Sequence, residues 1–229
     1  MEKIILFVIL GITIILGISS TKHIHPLTEE TETSLSLNDS IRSLLTKWKV
    51  PSQYHNEILT EAIKPKYQAN LKYLLAIGKV ESNFNKYALG DSHAEYSYGY
   101  FQINLDDGER NDKISTLEMA IREEWYPYYQ LKNNETIKQE MEKIKNGENS
   151  FLYNTNIQFH IANNLINIIK RRITEQGYAI RPQYVAYMWN EGVYSDLSGF
   201  TIWTISEPYL SRFNKAYIEV EEALNSLLK

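Results

Sequence analysis

The stretch from Leu71 to Val80 constrains this chain more than any other. Leu71, Leu74, Leu75 and Gly78 recur at helical spacing, and Ala76, Ile77 and Val80 fill most of the remaining circumference. A helix that is apolar nearly all round has to be enclosed by other elements, so the spacing predicts a central helix with the rest of the fold built around it. That helix runs straight into Glu81-Ser82-Asn83-Phe84, and a loop rich in Gly, Asp, Ser, His and Tyr follows from Ala88 to Tyr98. Gly99-Tyr100-Phe101-Gln102-Ile103-Asn104 closes the loop.

The flanking segments read as further helices. Asn38 or Asp39 is a candidate cap for a helix carrying Ile41, Leu44, Leu45 and Trp48, ended by Pro51. Tyr54, Ile58, Leu59 and Ile63 mark a second, closed by Pro65. The charged stretch from Asp106 to Asn149 has helical patterns around Leu117–Trp125 and Glu135–Ile144. Beyond it, helices fit Asn154–Ile173, Pro182–Trp189 and Pro208–Leu228, with Pro208 near the first turn of the last. Strand-like alternation is scarce. The expected class is mainly α, with a short hairpin near Ala88–Tyr98 as the candidate β element and no internal repeat.

At the N-terminus, Lys3 precedes an uncharged apolar run from Ile4 to Ile18. The run is short for a spanning helix of about 20 residues and long for a signal-peptide core of about 7–15. Gly17 and Ser19 are small enough to flank a cleavage site, so residues 1–21 read as either a cleaved signal peptide or a retained membrane anchor. Both predict export to the periplasm or cell surface. A buried core helix is the plainer alternative, weakened by the lack of any face polar enough to meet water. Residues 22–37, rich in Thr, Ser and Glu, read as a linker, and 38–229 as the functional domain.

Composition removes several classes of function. A net charge of -4 argues against nucleic-acid binding, which needs a basic face for the phosphates. The absence of cysteine excludes disulfides, thiolate zinc sites and cysteine nucleophiles. The five histidines show no metal-ligand spacing beyond the His23/His25 pair, and Asp106-Asp107-Gly108 falls short of a calcium loop. Gly78-Lys79 lacks the glycines of a phosphate-binding loop. No metal and no cofactor are expected.

The chemistry then centres on Glu81. A carboxyl group closing an apolar helix loses hydration, which raises its pKa and keeps it protonated near neutral pH. Glycosidic oxygens are poor leaving groups, and a protonated carboxyl is what their cleavage requires. Taken alone, a glutamate at a helix end is an ordinary solvated terminus. Its company changes that weight. Glu81-Ser82-Asn83-Phe84, Ser97-Tyr98-Gly99-Tyr100-Phe101-Gln102-Ile103, Trp189-Asn190-Glu191-Gly192 and the run Tyr209 to Tyr217 resemble, in order, four motifs of the soluble lytic transglycosylase and goose-type lysozyme families. Those motifs are Glu-Ser-x-Phe, Ser-x-Gly-x-x-Gln, Tyr-Asn-x-Gly and an aromatic helix start.

The resemblance implies a lysozyme-like α-helical domain and a peptidoglycan lytic transglycosylase that cleaves the MurNAc-GlcNAc bond and leaves 1,6-anhydroMurNAc ends. Glu81 would be the acid and then the base. Ser82 would position substrate or carboxyl, and Gly99 would let the backbone pass close to a sugar. Gln102 would hydrogen-bond the saccharide, Asn190 would hold the acetamido group, and Tyr209 would bond Glu81 or stabilise developing charge. Trp189 departs from the usual Tyr, and Tyr100-Phe101 from a common Leu-Met pair, which offers aromatic rings either to sugars or to packing. The Asp106–Asn149 stretch has no counterpart motif. Goose-type lysozymes use loop Asp residues to bind water, which makes Asp91 and Glu95 candidates for a second carboxylate and hydrolysis the alternative reaction. A wall-binding or assembly factor without turnover is the non-enzymatic alternative. The implied partners are peptidoglycan glycan strands, the membrane if the N-terminal segment is retained, and cell-envelope machinery.

Overall fold

The computed structural model describes residues 28–92, 95–105, 134–198, 200 and 207–226. Among these the chain is mainly helical: α1 (Thr28–Lys47), α2 (Ser52–Ala62), α3 (Leu71–Ser82), α4 (Asn134–Lys145), α5 (Thr155–Glu175), α6 (Pro182–Glu191) and α7 (Glu207–Asn225). Strands β1 (Leu89–Ser92), β2 (Glu95–Tyr98) and β3 (Ile103–Asn104) form one antiparallel sheet in that order. Short 3-10 turns at Pro65–Asn70 and Phe151–Tyr153 lead into α3 and α5.

The central helix is where the apolar pattern put it. Leu74, Leu75, Ala76 and Ile77 of α3 are fully buried. The helix lies against α7 on one side and α5 on another. α5 supplies the broadest apolar face, with Phe159, Ile166 and Ile169 fully buried. Asn154 caps it by accepting the Asn156 amide at 2.9 Å, and Pro182 occupies the first turn of α6. Both devices satisfy or remove amides that have no partner inside the helix.

The hairpin expected after Ala88 is present, with Leu89 opposite Tyr98 and Asp91 opposite Tyr96. A third strand adds Tyr98 opposite Ile103. One boundary differs. α1 begins at Thr28, so residues 28–37, read as linker, are helical, and the helix does not start at Asn38 or Asp39. The segment has no Gly or Pro after Pro26, and nothing in its propensities stops a helix that the apolar face further on has already anchored.

Tyr100 and Phe101 are fully buried. Phe84 packs at 5.8 Å from Tyr100 and 6.3 Å from Phe101, and Phe101 at 5.1 Å from Phe159, between ring centres. These rings join the sheet to α3 and α5 and are closed to a sugar. Among the described residues no helix is long and apolar enough to cross a membrane. The Ile4–Ile18 run and the Leu117–Trp125 pattern lie outside the described residues.

Candidate functional site

Glu81 sits in the last turn of α3, and the way that helix stops determines where its carboxyl points. Asn83 and Phe84 both take left-handed backbone conformations, with φ of 53° and 56°. The Asn83 amide keeps the ordinary helical bond to the Lys79 carbonyl (3.1 Å), and the Phe84 amide returns to the Gly78 carbonyl (3.0 Å), the six-to-one bond that closes a helix C-terminus. Phe84 is then turned back over α3, where it is fully buried. A Cβ on Gly78 would stand 2.5 Å from its ring. Left-handed backbone is costly for a bulky residue, and the buried ring and Gly78 together hold it there. Among the described residues, the other non-glycine positions with positive φ are Gln102 at 47° and Lys49 at 57°. Gln102 belongs to the hairpin beside this turn, and Lys49 and Asn83 line the groove next to Glu81.

The Glu81 carboxyl is approached from two further helices. The Tyr209 hydroxyl on α7 donates to its Oε1 at 2.7 Å, and the Trp189 indole on α6 lies near enough to favour its ionised form. Arg212, one turn beyond Tyr209, is close enough for its charge to act on the carboxyl. Burial is the dominant influence and pushes Glu81 up to about 7, with Tyr209, Arg212 and Trp189 each pulling it down. At neutral pH the group is poised to give or take a proton. Tyr209 is itself buried; burial, with the Glu81 charge adding to it, drives its hydroxyl well above the ordinary phenol range. It therefore remains a donor.

On the hairpin side, side chains expected at the substrate mostly hold the scaffold. The Ser82 hydroxyl donates to the Tyr100 carbonyl at 2.8 Å and accepts the Asn85 amide at 3.1 Å, tying the end of α3 to the hairpin. Gly99 has φ of 76°, and a Cβ there would stand 2.1 Å from Gln158 Oε1. Gln158, which is fully buried, needs that space. It accepts the Tyr100 amide at 2.6 Å and donates to the Tyr153 carbonyl at 3.0 Å. Gln102 accepts from the Ser97 hydroxyl at 2.9 Å and donates to the Gly99 carbonyl at 3.1 Å.

Asn190 is exposed at the end of α6 and donates to Glu191 at 2.8 Å. It is the neighbouring Trp189 that reaches Glu81. Asp91 and Glu95 lie on β1 and β2, and their side chains lie outside the described residues. Of the residues singled out from sequence, the structure joins Glu81 to Tyr209 directly and Ser82, Gly99 and Gln102 into one hairpin network.

Several residues of the site escaped the sequence. Arg212 and Gln158 reach it only through tertiary packing. Glu57 on α2 accepts from Tyr100 Oη (2.7 Å), Thr155 Oγ1 (2.7 Å) and Lys86 Nζ (2.6 Å). Burial works to raise its pKa, but these three donors prevail and lower it, so Glu57 is an anion fixed in the scaffold. A groove of about 750 Å3 opens beside Glu81, lined among others by Trp48, Lys79, Arg212 and Lys215. Among the described residues no cluster of His, Asp or Glu could hold a metal ion.

Comparison with known proteins finds no family model, no curated protein and no solved structure that matches the chain.

Proposed function

We propose that the chain is a peptidoglycan lytic transglycosylase of lysozyme-like fold, with Glu81 as its single acid and base. The observation that carries this reading is a carboxyl raised to about 7 by burial, at the end of a central helix and held by a buried tyrosine hydroxyl. The sequence motifs supply the substrate class. The chain's apolar N-terminal segment fits export to the compartment where that substrate lies.

In the proposed reaction, protonated Glu81 gives its proton to the glycosidic oxygen as the C1–O bond breaks. The carbonyl oxygen of the substrate's own 2-acetamido group bonds to C1, and the leaving sugar departs with a hydroxyl. Glu81, now ionised, removes the C6 hydroxyl proton. O6 then displaces the acetamido oxygen from C1 and closes a 1,6-anhydro ring, which restores the protonated acid. No water is consumed. Tyr209 keeps its proton throughout and supports the carboxylate when charge sits on Glu81. Glu57, already saturated with donors, takes no part.

Hydrolysis is the alternative, carried by Asp91 or Glu95 holding a water. Digestion of purified sacculi separates the two reactions: anhydro ends are expected, and reducing ends alone would refute the transglycosylase. Glu81→Gln is expected to lower turnover by about 10³-fold, the scale of general acid catalysis. Equal wall digestion by both proteins, or none by either, would overturn Glu81 as the acid and favour a wall-binding factor without turnover.

A further inference from the structure

The groove beside Glu81 is charged against the character of the chain. Its lining includes Lys47, Lys49, Lys79, Arg212 and Lys215, opposed by Glu81 and Glu219, in a protein of net charge -4. Internal pairing uses only part of that positive charge. Glu219 accepts from the Trp48 indole and pairs with Lys47 at 3.2 Å, and the more distant Lys215 charge also acts on it. Lys79 turns inward to Asn83 Oδ1 at 2.7 Å and the Trp48 carbonyl at 3.3 Å. Lys49 and Lys215 are exposed and have no ion-pair partner among the described residues. Arg212 is also exposed; among the described residues it donates to the Pro208 carbonyl of its own helix at 3.2 Å, and its charge acts on Glu81 without a close ion pair. Lys49 keeps its place on left-handed backbone, with φ of 57°. Like charges gathered in a concave site repel one another and focus a field that attracts anions.

We propose that this groove binds the carboxylates of the stem peptides carried by the glycan strand, so that the site selects peptide-bearing over peptide-free strands. The proposal rests on the reading of Glu81 as the wall-cutting acid and adds to it which strands are taken. The stem peptide begins at the lactyl ether of the muramic sugar whose C1 is attacked, which brings its carboxylates close to the acid. Phosphodiester wall polymers are the other anionic source. Those that attach through the C6 hydroxyl remove the nucleophile that ring closure needs, so carboxylates are the better match to this reaction.

The test measures binding apart from turnover. Full-length Glu81→Gln protein is sedimented with glycan strands from sacculi, either with stem peptides intact or after amidase removal, and in both cases freed of phosphate polymers. Peptide-bearing strands are expected to bind more tightly. Adding Lys49→Gln and Lys215→Gln should weaken that binding by about tenfold, as for two partly exposed charge contacts. The same pair should leave peptide-free strands unaffected. The gap should also narrow as salt shortens the screening length.

Equal binding of both strands overturns the groove, as does a difference that survives the double substitution. A third preparation keeps its phosphate polymers, and binding seen there alone overturns the carboxylate assignment. Turnover by the intact protein is scored separately. Products without a binding difference sink the groove alone. A binding difference without products sinks the enzyme reading and supports the groove.

Discussion

The two flanks of Glu81 satisfy their polar groups in opposite ways. On the hairpin flank, Ser82, Ser97, Gln102 and Gln158 find their partners inside the protein. On the groove flank, Lys49, Arg212 and Lys215 are exposed and form no close ion pair among the described residues, although Arg212 acts on Glu81 and Lys215 on Glu219 from a distance. Buried polar groups without partners are expensive, and apart from the buried Tyr98 hydroxyl, which has no partner among the described residues, these hairpin groups are committed to the scaffold. Solvated charges cost little to leave open, and they remain available to a ligand. Removing a group from the hairpin flank should therefore damage the fold, whereas removing one from the groove flank should damage recognition and leave the fold alone.

The sharpest test of the hairpin half is Gly99→Ala. The new side chain meets left-handed backbone at φ of 76° and the Gln158 carboxamide at 2.1 Å. Backbone strain of about 1–2 kcal/mol adds to the loss of one buried hydrogen bond of about 1–3 kcal/mol. A destabilisation of roughly 3 kcal/mol is expected, or about 10 °C in Tm, read by thermal unfolding. In a Gln158→Ala background the same substitution should cost only the strain. If Gly99→Ala melts like the wild type, the hairpin is looser than its hydrogen bonds imply, and the contrast between the flanks fails.

The contrast also separates what the sequence could show from what it could not. The mainly helical class, the central helix and the hairpin followed from periodicity and turn residues, because those signals are local. The start of α1 did not, since a Thr- and Glu-rich segment carries no apolar stripe to distinguish helix from linker. Motif residues such as Ser82, Gly99 and Gln102 were visible, yet their partners are Tyr100, Gln158 and Ser97, and only the folded chain reveals that scaffold role. Lys79 stands two residues before Glu81 in the chain. The structure turns it toward Trp48 and Asn83, and brings Arg212 from α7 instead. The groove charges are scattered between residues 47 and 215, so no local pattern announces them.

A smaller effect tests the carboxyl that lies between the flanks. The folded protein holds the Glu81 proton more tightly than an unfolded chain does, with a pKa of about 7 against the ordinary carboxyl value of 4.5. Below the lower value both states are protonated and the group costs nothing. As pH rises toward 7 the folded state resists ionisation, and stability is lost progressively. Glu81→Gln removes that penalty. Its Tm should match the wild type at pH 4 and exceed it by about 5 °C at pH 8, which corresponds to roughly 2 kcal/mol. Equal melting at both pH values would mean that the carboxyl is hydrated.

Trp189 gives the smallest effect and the one most specific to this chain. Its indole stands where the resembling families have a tyrosine, and it reaches the Glu81 carboxyl alongside Tyr209. Burial raises the Glu81 pKa most, and the two donors oppose it, with Tyr209 the stronger. Trp189→Phe keeps a ring in the same half-buried position but removes the donor. Under the proposed reaction, kcat/KM falls as Glu81 loses its proton, so the descending limb of the pH profile should move to higher pH. Tyr209→Phe should move it further in the same direction. A structural defect would lower the whole profile without displacing the limb. A limb that stays in place, or that moves to lower pH, would show that the indole packs beside Glu81 without holding its charge.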